Sequence, residues 1–321
     1  MATGSEAAAS PRWGSEAVRD GHPHGSVPRR TSSLRARCAA FLELTKPRII
    51  ELLLVTTVPS MVLAHGGIPP IGLVVATVLG GTLAAGGANA LNMVIDRDVD
   101  RVMARTSGRP LVTGRVSPAE ATLFALGCEV VAFLILWRWV NLLAALLAFG
   151  AFAFYVVVYT LWLKRRSRQN IVIGGAAGAA PTLIGWAAVT GELALPAWIL
   201  FLVVFLWTPP HFWALALRYR DDYSVARIPM LPAVAGTASV TRSILAYAAA
   251  VVACSLLLPF ASETGLIYSV VALGSGVSFV WSAFELHRRP TASNAMRVFA
   301  FSITYLALLF GAIGADVLLR A

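Results

Sequence analysis

Hydrophobic positions in this chain come in long unbroken runs, not in the period-two or period-3.6 patterns of a half-buried soluble element. Nine runs lie near residues 45–65, 70–95, 118–137, 140–162, 171–190, 195–217, 241–259, 266–286 and 297–319. Each has roughly the 20 residues that span about 30 Å of hydrocarbon as a helix. Punctuation supports the divisions. Gly66-Gly67-Ile68-Pro69-Pro70 closes the first run, Ser117-Pro118-Ala119-Glu120 reads as a capping box opening the third, and Gly191 with Pro196 marks the turn after the fifth. The pattern predicts an all-α integral membrane protein with nine transmembrane helices.

Composition agrees, with 58% hydrophobic and 13% charged residues. A net charge of +10 raises nucleic acid as a partner. Nearly all the basic residues, however, fall on alternate connections between apolar runs, as the positive-inside rule requires of a membrane protein. That distribution argues against nucleic acid and places the amino terminus in the cytoplasm and the carboxyl terminus outside. Residues 1–40, rich in Ala, Gly, Ser, Pro and Arg, read as a disordered cytoplasmic tail. They lack the apolar middle of a signal peptide. Residues 41–321 form the membrane domain. Cys38, Cys128 and Cys254 are scattered, with no CxxC pair, and read as free thiols.

The chemistry-bearing stretch is Asn89 to Arg101, where the second run meets charge. If the helix continues, Asn92, Asp96 and Asp100 share a face one turn apart. Like charges so spaced repel, and hard oxygen donors with two carboxylates suit Mg²⁺, which completes its shell with water and phosphate oxygens. The competing reading pairs the acids with Arg97, Arg101 and Arg105 in a solvated loop. Asp98 points away and is assigned to local pairing with Arg97 or Arg101. A second constellation runs from Trp207 to Tyr223, where Pro209-Pro210 should break or kink the sixth run.

Asn92-x-x-x-Asp96-x-x-x-Asp100, followed by Arg105-Thr106-Ser107-Gly108-Arg109-Pro110, resembles the first signature of the UbiA superfamily of intramembrane prenyltransferases. Thr45-Lys46-Pro47-Arg48, Tyr159 to Arg165, Gln169 to Gly175, Trp207 to Tyr223 and Ile228 to Pro232 are similar to the branch that farnesylates haem. The likeness covers residues 40–320. It implies a nine-helix bundle around a central cavity in the cell membrane, with its mouth on the cytoplasmic side. It further implies farnesyl diphosphate as donor, haem B as acceptor, haem O as product, Mg²⁺, contact with membrane lipid and a downstream haem-modifying enzyme as partner. The metal and diphosphate role passes to Asn92, Asp96 and Asp100. The chain departs from the superfamily in two places. A second Asp-x-x-x-Asp is replaced by adjacent Asp221 and Asp222, and the Tyr and Lys often four apart are here Tyr159 and Lys164, five apart.

Departing diphosphate needs fixed cations, and Lys46, Arg105, Arg109, Lys164 and Arg165 are the candidates. Tyr159, Asp221, Asp222 and Tyr223 join them as substrate-binding candidates. His211 reads either as an axial ligand or acid/base group for haem, or as a structural histidine serving backbone freed by Pro209-Pro210. Arg218 and Arg220 either receive haem propionates or pair with Asp221 and Asp222. Glu129, midway along the third run, is protonated, paired or functional, because an unpaired charge there costs roughly 2.5–3.5 kcal/mol. Gly80-Gly81, Gly86-Gly87 and Gly174 to Gly178 read as helix-packing surfaces that also flatten the walls met by a bulky ligand. Two other functions fit parts of the pattern: a prenyltransferase with a phenolic acceptor, and a transporter, since broken helices and intramembrane acids also mark substrate paths.

Overall fold

The computed structural model describes residues 33–320. The expected tail lies largely outside them, but from Leu34 the chain is already helical. Helix α1 (Leu34–Thr45) leads into α2 (Pro47–His65) and α3 (Ile71–Ile95). A short α4 (Arg97–Val102) and an irregular loop follow, then α5 (Pro118–Trp139) and α6 (Leu142–Ala153). The last of these widens into a π-helical stretch, Phe154–Leu163, and ends in α7 (Lys164–Arg166). Next come α8 (Asn170–Thr190), α9 (Leu195–Arg218), the single-turn elements α10 (Arg220–Val225) and α11 (Leu231–Val234), and α12 (Thr237–Ser255). A short α13 (Leu258–Ala261), α14 (Leu266–Arg288) and α15 (Ala292–Leu318) complete the chain.

Eight spans among the described residues are long and apolar enough to cross a membrane, from Ile71–Ile95 to Ala292–Leu318. They coincide with the second to ninth predicted runs. The first run is α2, a helix of 19 residues that is not among the eight. Pro118 and the complete capping box of Ser117 and Glu120 start α5 as predicted. The proline pair does not interrupt α9, which runs through Pro209 and Pro210 to Arg218.

With lipid as solvent, burial of apolar surface does little to hold spans together, so close approach and interhelical hydrogen bonds do the work. A Cβ on Gly87 would lie 2.7 Å from the Ala125 carbonyl oxygen, which fixes the α3–α5 contact on glycine. Gly185 meets the Thr57 carbonyl of α2 in the same way at 2.6 Å. In the second half of the chain, Tyr268 donates to the Ser255 carbonyl at 2.8 Å and Tyr305 to the Ser255 hydroxyl at 2.9 Å, tying α12, α14 and α15 together. Antiparallel neighbours bring loops 97–116, 164–169 and 219–236 to one end. There Val99, Met103 and Ile228 pack as a small apolar cluster across the mouth of a cavity.

Candidate active site

At the end of α3, Asp96 leaves helical geometry (φ −89°, ψ 8°), yet the backbone ladder does not stop. Asp96 donates its N–H to the Asn92 carbonyl at 2.9 Å, and Asp100 donates to the Asp96 carbonyl at 2.8 Å. Asn92, Asp96 and Asp100 therefore keep the one-turn spacing expected of them. They are 3%, 0% and 3% exposed, so they are not a solvated loop.

Their partners come from elsewhere in the chain. Lys164 forms an ion pair with Asp96 Oδ2, which also accepts from Asn92 Nδ2 at 2.7 Å. Arg109 reaches both oxygens of Asp100 at 2.7 and 2.6 Å. Lys46 donates to Asn92 Oδ1 at 3.0 Å from a left-handed backbone conformation, φ 53° and ψ 63°, held between α1 and α2. Burial, with Arg109 and Lys164 nearby, pushes the Lys46 amine down to about 7. Arg165 reaches this group only at its edge, 3.8 Å from Asp96 Oδ1. It takes Asp98, with two contacts of 2.7 Å, and the Ile95 carbonyl, so Asp98 pairs across the site and not with Arg97 or Arg101. That hydrogen bond holds the Asp98 carboxyl below its ordinary range.

The five-residue spacing of Tyr159 and Lys164 has a structural cause. Their segment is π-helical, with hydrogen bonds five residues apart, and the Lys164 N–H bonds to the Tyr159 carbonyl. The wide turn absorbs the extra residue, and both side chains line the same cavity. Thr160, which accepts from Asn92 Nδ2 at 3.2 Å, belongs to the same stretch.

The cavity encloses about 1450 Å³ including its open mouth. Lys46, Asn92, Asp100, Arg105, Arg109, Lys164 and Tyr159 form its polar end, and Asp96 lies just behind them. An apolar slot of about 790 Å³, open space at its edge included, leads off it. The slot shares Asn89, Tyr155 and Gly178 with the chamber and is walled by Ala84, Ala85, Ala88, Ala148 and Ala151. From Asn89 to Thr77 along α3 it runs roughly 18 Å at 1.5 Å per residue. Gly81 and Gly178 face open space here, so these two glycines widen the slot, whereas Gly87 serves packing.

The remaining candidates lie apart from this pocket. His211 is buried on α9, its Nδ1 2.7 Å from the Ser302 hydroxyl, stacked between Trp207 and Phe299. Arg218, Arg220, Asp221 and Asp222 do not line the cavity, because the chain turns away at Tyr219; Tyr223 alone of that group does. Burial raises the Tyr223 phenol, and the Arg105 guanidinium beside it pulls back. Glu129 is buried on α5 with no hydrogen-bond partner for either oxygen, so the paired reading is not found.

Sequence reasoning assigned no role to Tyr155, whose ring stacks on Tyr159 at 5.4 Å where slot and chamber meet. It quoted Trp207 and Asn170 within longer motifs and gave neither a role of its own, yet both line the chamber. The four-residue spacing of two tyrosines and the Gln169-Asn170 pair were the available signals.

No group of three or more His, Cys, Asp or Glu poised for a metal occurs among the described residues. Mg²⁺ needs only one or two carboxylates. The two here stand with an amide oxygen donor, and Asp96 Oδ1 is buried without a hydrogen-bond partner, with the Arg165 guanidinium 3.8 Å away. An all-oxygen set with one unsatisfied carboxylate oxygen fits such an ion.

Residues 53–308 match the model of the UbiA prenyltransferase family. The chain belongs to this family. Among its relatives, the protoheme IX farnesyltransferase of Pseudarthrobacter chlorophenolicus is 52% identical over 285 residues, 87% of this chain and 89% of that one. That of Saccharopolyspora erythraea, protoheme IX farnesyltransferase 1, is 53% identical over 296 residues, 91% and 94%. The family fold recurs in a solved structure of a UbiA homologue from Archaeoglobus fulgidus bound to GPP and Mg²⁺. Its TM-score is 0.62 at 19% identity, covering 85% of this chain and 99% of that one.

Proposed function

We propose that this chain transfers the farnesyl group of farnesyl diphosphate to a vinyl group of haem B, with addition of water, to give haem O. The observation that carries the reading is the two-part cavity: a buried oxygen-and-cation chamber opening through Tyr155 into a slot of small apolar residues. That shape matches a donor with a polyanionic head and a long hydrocarbon tail. The identity of about half with protoheme IX farnesyltransferases supports haem as acceptor.

Lys46, Lys164 and Arg109 hold the oxygen set in place before substrate arrives and are the cations positioned to meet the diphosphate. Asn92, Asp96 and Asp100 would hold Mg²⁺, which when bound supplies further neutralisation of charge on the leaving group. The donor C1–O bond breaks with its electron pair leaving on diphosphate. The vinyl π-pair then forms the new bond to C1, a water oxygen closes on the adjacent carbon, and the proton released goes to diphosphate. Tyr155 and Tyr159 present stacked π-faces where C1 would lie, favourable to a passing allylic cation. The alanine-lined slot keeps bulk water from the tail.

This reading includes nine membrane spans with α2 as the first, an amino terminus and cavity mouth in the cytoplasm, and residence in the cell membrane. A downstream haem-modifying enzyme would take the product. Purified protein supplied with farnesyl diphosphate, Mg²⁺ and haem B should yield haem heavier by one farnesyl group and one hydroxyl group. Alkylation of a phenol in place of haem, or flux across vesicles without turnover, would refute it.

A further inference from the structure

On the outer surface of the bundle, α14 and α15 leave a groove of about 780 Å³, open space at its edge included. Residues four apart on each helix build it: Val277, Trp281 and Glu285 on α14, and Arg297 and Phe301 on α15. Val277, Trp281 and Phe301 are 60%, 63% and 39% exposed, so the groove faces outward. We propose that it binds a phospholipid with an ethanolamine headgroup, its phosphate on Arg297, its ammonium on Glu285 and an acyl chain laid along Trp281, Phe301 and Val277.

Depth in the membrane supports this division. The Thr241 hydroxyl, near the start of α12, is 3.0 Å from His287 Nδ1 near the end of α14, so this end of the groove lies on the face that carries the chamber mouth. Helices of 23 and 27 residues, α14 and α15 run roughly 35 and 40 Å, against about 30 Å of hydrocarbon. Their ends therefore reach into the headgroup layer. Glu285 stands about 4.5 Å in from Arg288 at the end of α14, and Arg297 about 7.5 Å in from Ala292 at the start of α15. Both charges thus lie at headgroup depth, and the exposed apolar residues lie one to two turns deeper, beside acyl chains.

The two charges do not pair with each other. Neither the Glu285 carboxylate nor the Arg297 guanidinium has a hydrogen bond or ion pair among the described residues. Arg288 is turned to the Phe284 ring, 5.9 Å from its centroid. Ser278 and Ser282 also line the groove, but their hydroxyls donate to the Gly274 and Phe279 carbonyls at 3.0 and 2.7 Å. The groove therefore offers a visitor one anion, one cation and apolar surface. Charges left alone against lipid are costly. A guanidinium fork matches phosphate oxygens, and a primary ammonium donates to a carboxylate. A choline headgroup has no N–H to donate, and a glycerol headgroup brings no cation to Glu285.

Native mass spectrometry of the full-length protein in detergent, titrated separately with dioleoyl phosphatidylethanolamine, phosphatidylcholine and phosphatidylglycerol, tests this without reference to turnover. Wild type should hold one ethanolamine lipid about tenfold more tightly than either of the others. Glu285→Gln should bring that lipid down to the level of the choline lipid, and Arg297→Gln should weaken all three by about tenfold. Ser278→Leu, which fills the groove and leaves both charges in place, should also weaken the ethanolamine lipid. Equal affinity of wild type for the three lipids overturns the proposal, as does an ethanolamine preference that survives Glu285→Gln. A dimer of this chain that excludes lipid from the groove overturns it too.

Discussion

Tyr159 and Lys164 are joined by one backbone hydrogen bond across a π-helical turn, and that bond puts both side chains in the same chamber. A five-residue separation on an ordinary α-helix would rotate them well apart. The extra residue is therefore compensated by backbone geometry.

Deleting Leu161, which faces outward at 53% exposure, should let the stretch relax to α-helix with Tyr159 and the lysine four apart. We expect this deletion to keep turnover within about tenfold of wild type. Deleting Leu146 from the ordinary turns of α6 should abolish it, since nothing there absorbs the change of phase. Turnover measured beside thermal stability checks both. Equal loss in the two deletions would count against the compensation.

Asp96→Asn and Asp100→Asn should each abolish product formation without preventing membrane insertion, because each leaves a partly buried cation unpaired and removes a donor oxygen. Asp98→Asn, on an exposed ion pair with Arg165, should stay within a few-fold of wild type. A product assay on equal amounts of membrane-inserted protein separates these outcomes.

Gly81 faces open space in the slot, while Gly87 abuts the Ala125 carbonyl. Gly81→Leu should shorten the slot, raising KM for farnesyl diphosphate by about tenfold and sparing geranyl diphosphate. Gly87→Ala should instead lower thermal stability with no shift in donor preference. Competition between the two donors reads the first effect and a melting curve the second.

Lys46 sits in a left-handed conformation that strains a non-glycine residue by about 1 kcal/mol or more. Lys46→Gly should relieve the strain and leave thermal stability no lower, yet slow turnover by more than about tenfold, because Asn92 and the diphosphate both lose a cation. Stability and turnover falling together would assign the residue a structural role only.

Much of this arrangement was legible in the chain. Eight of the nine apolar runs returned as spans with ends shifted by a few residues, because run length alone is a strong constraint in lipid. Asn92, Asp96 and Asp100 could be placed on one stripe because the hydrogen-bond ladder crosses the α3–α4 break. What escaped depends on tertiary packing. Nothing local says that Lys164 reaches Asp96, 68 residues away, or that Arg165 takes Asp98. The polar residues after Trp207 read as one constellation, but the helix end at Tyr219 carries Arg220, Asp221 and Asp222 away from the chamber while leaving Trp207 in it. His211 drew attention as an ionisable group, although its neighbours Trp207, Phe299 and Ser302, two of them on α15, make it part of a stack.

The central claim, that the buried oxygen set works on the donor's diphosphate through a divalent ion, is tested most directly by equilibrium binding of farnesyl diphosphate to the purified protein with Mg²⁺ and with chelator. We expect chelator to weaken binding to wild type by at least about tenfold and to make little difference to Asp96→Asn, which should bind weakly in both conditions. Equal affinity of wild type with Mg²⁺ and with chelator would contradict the account.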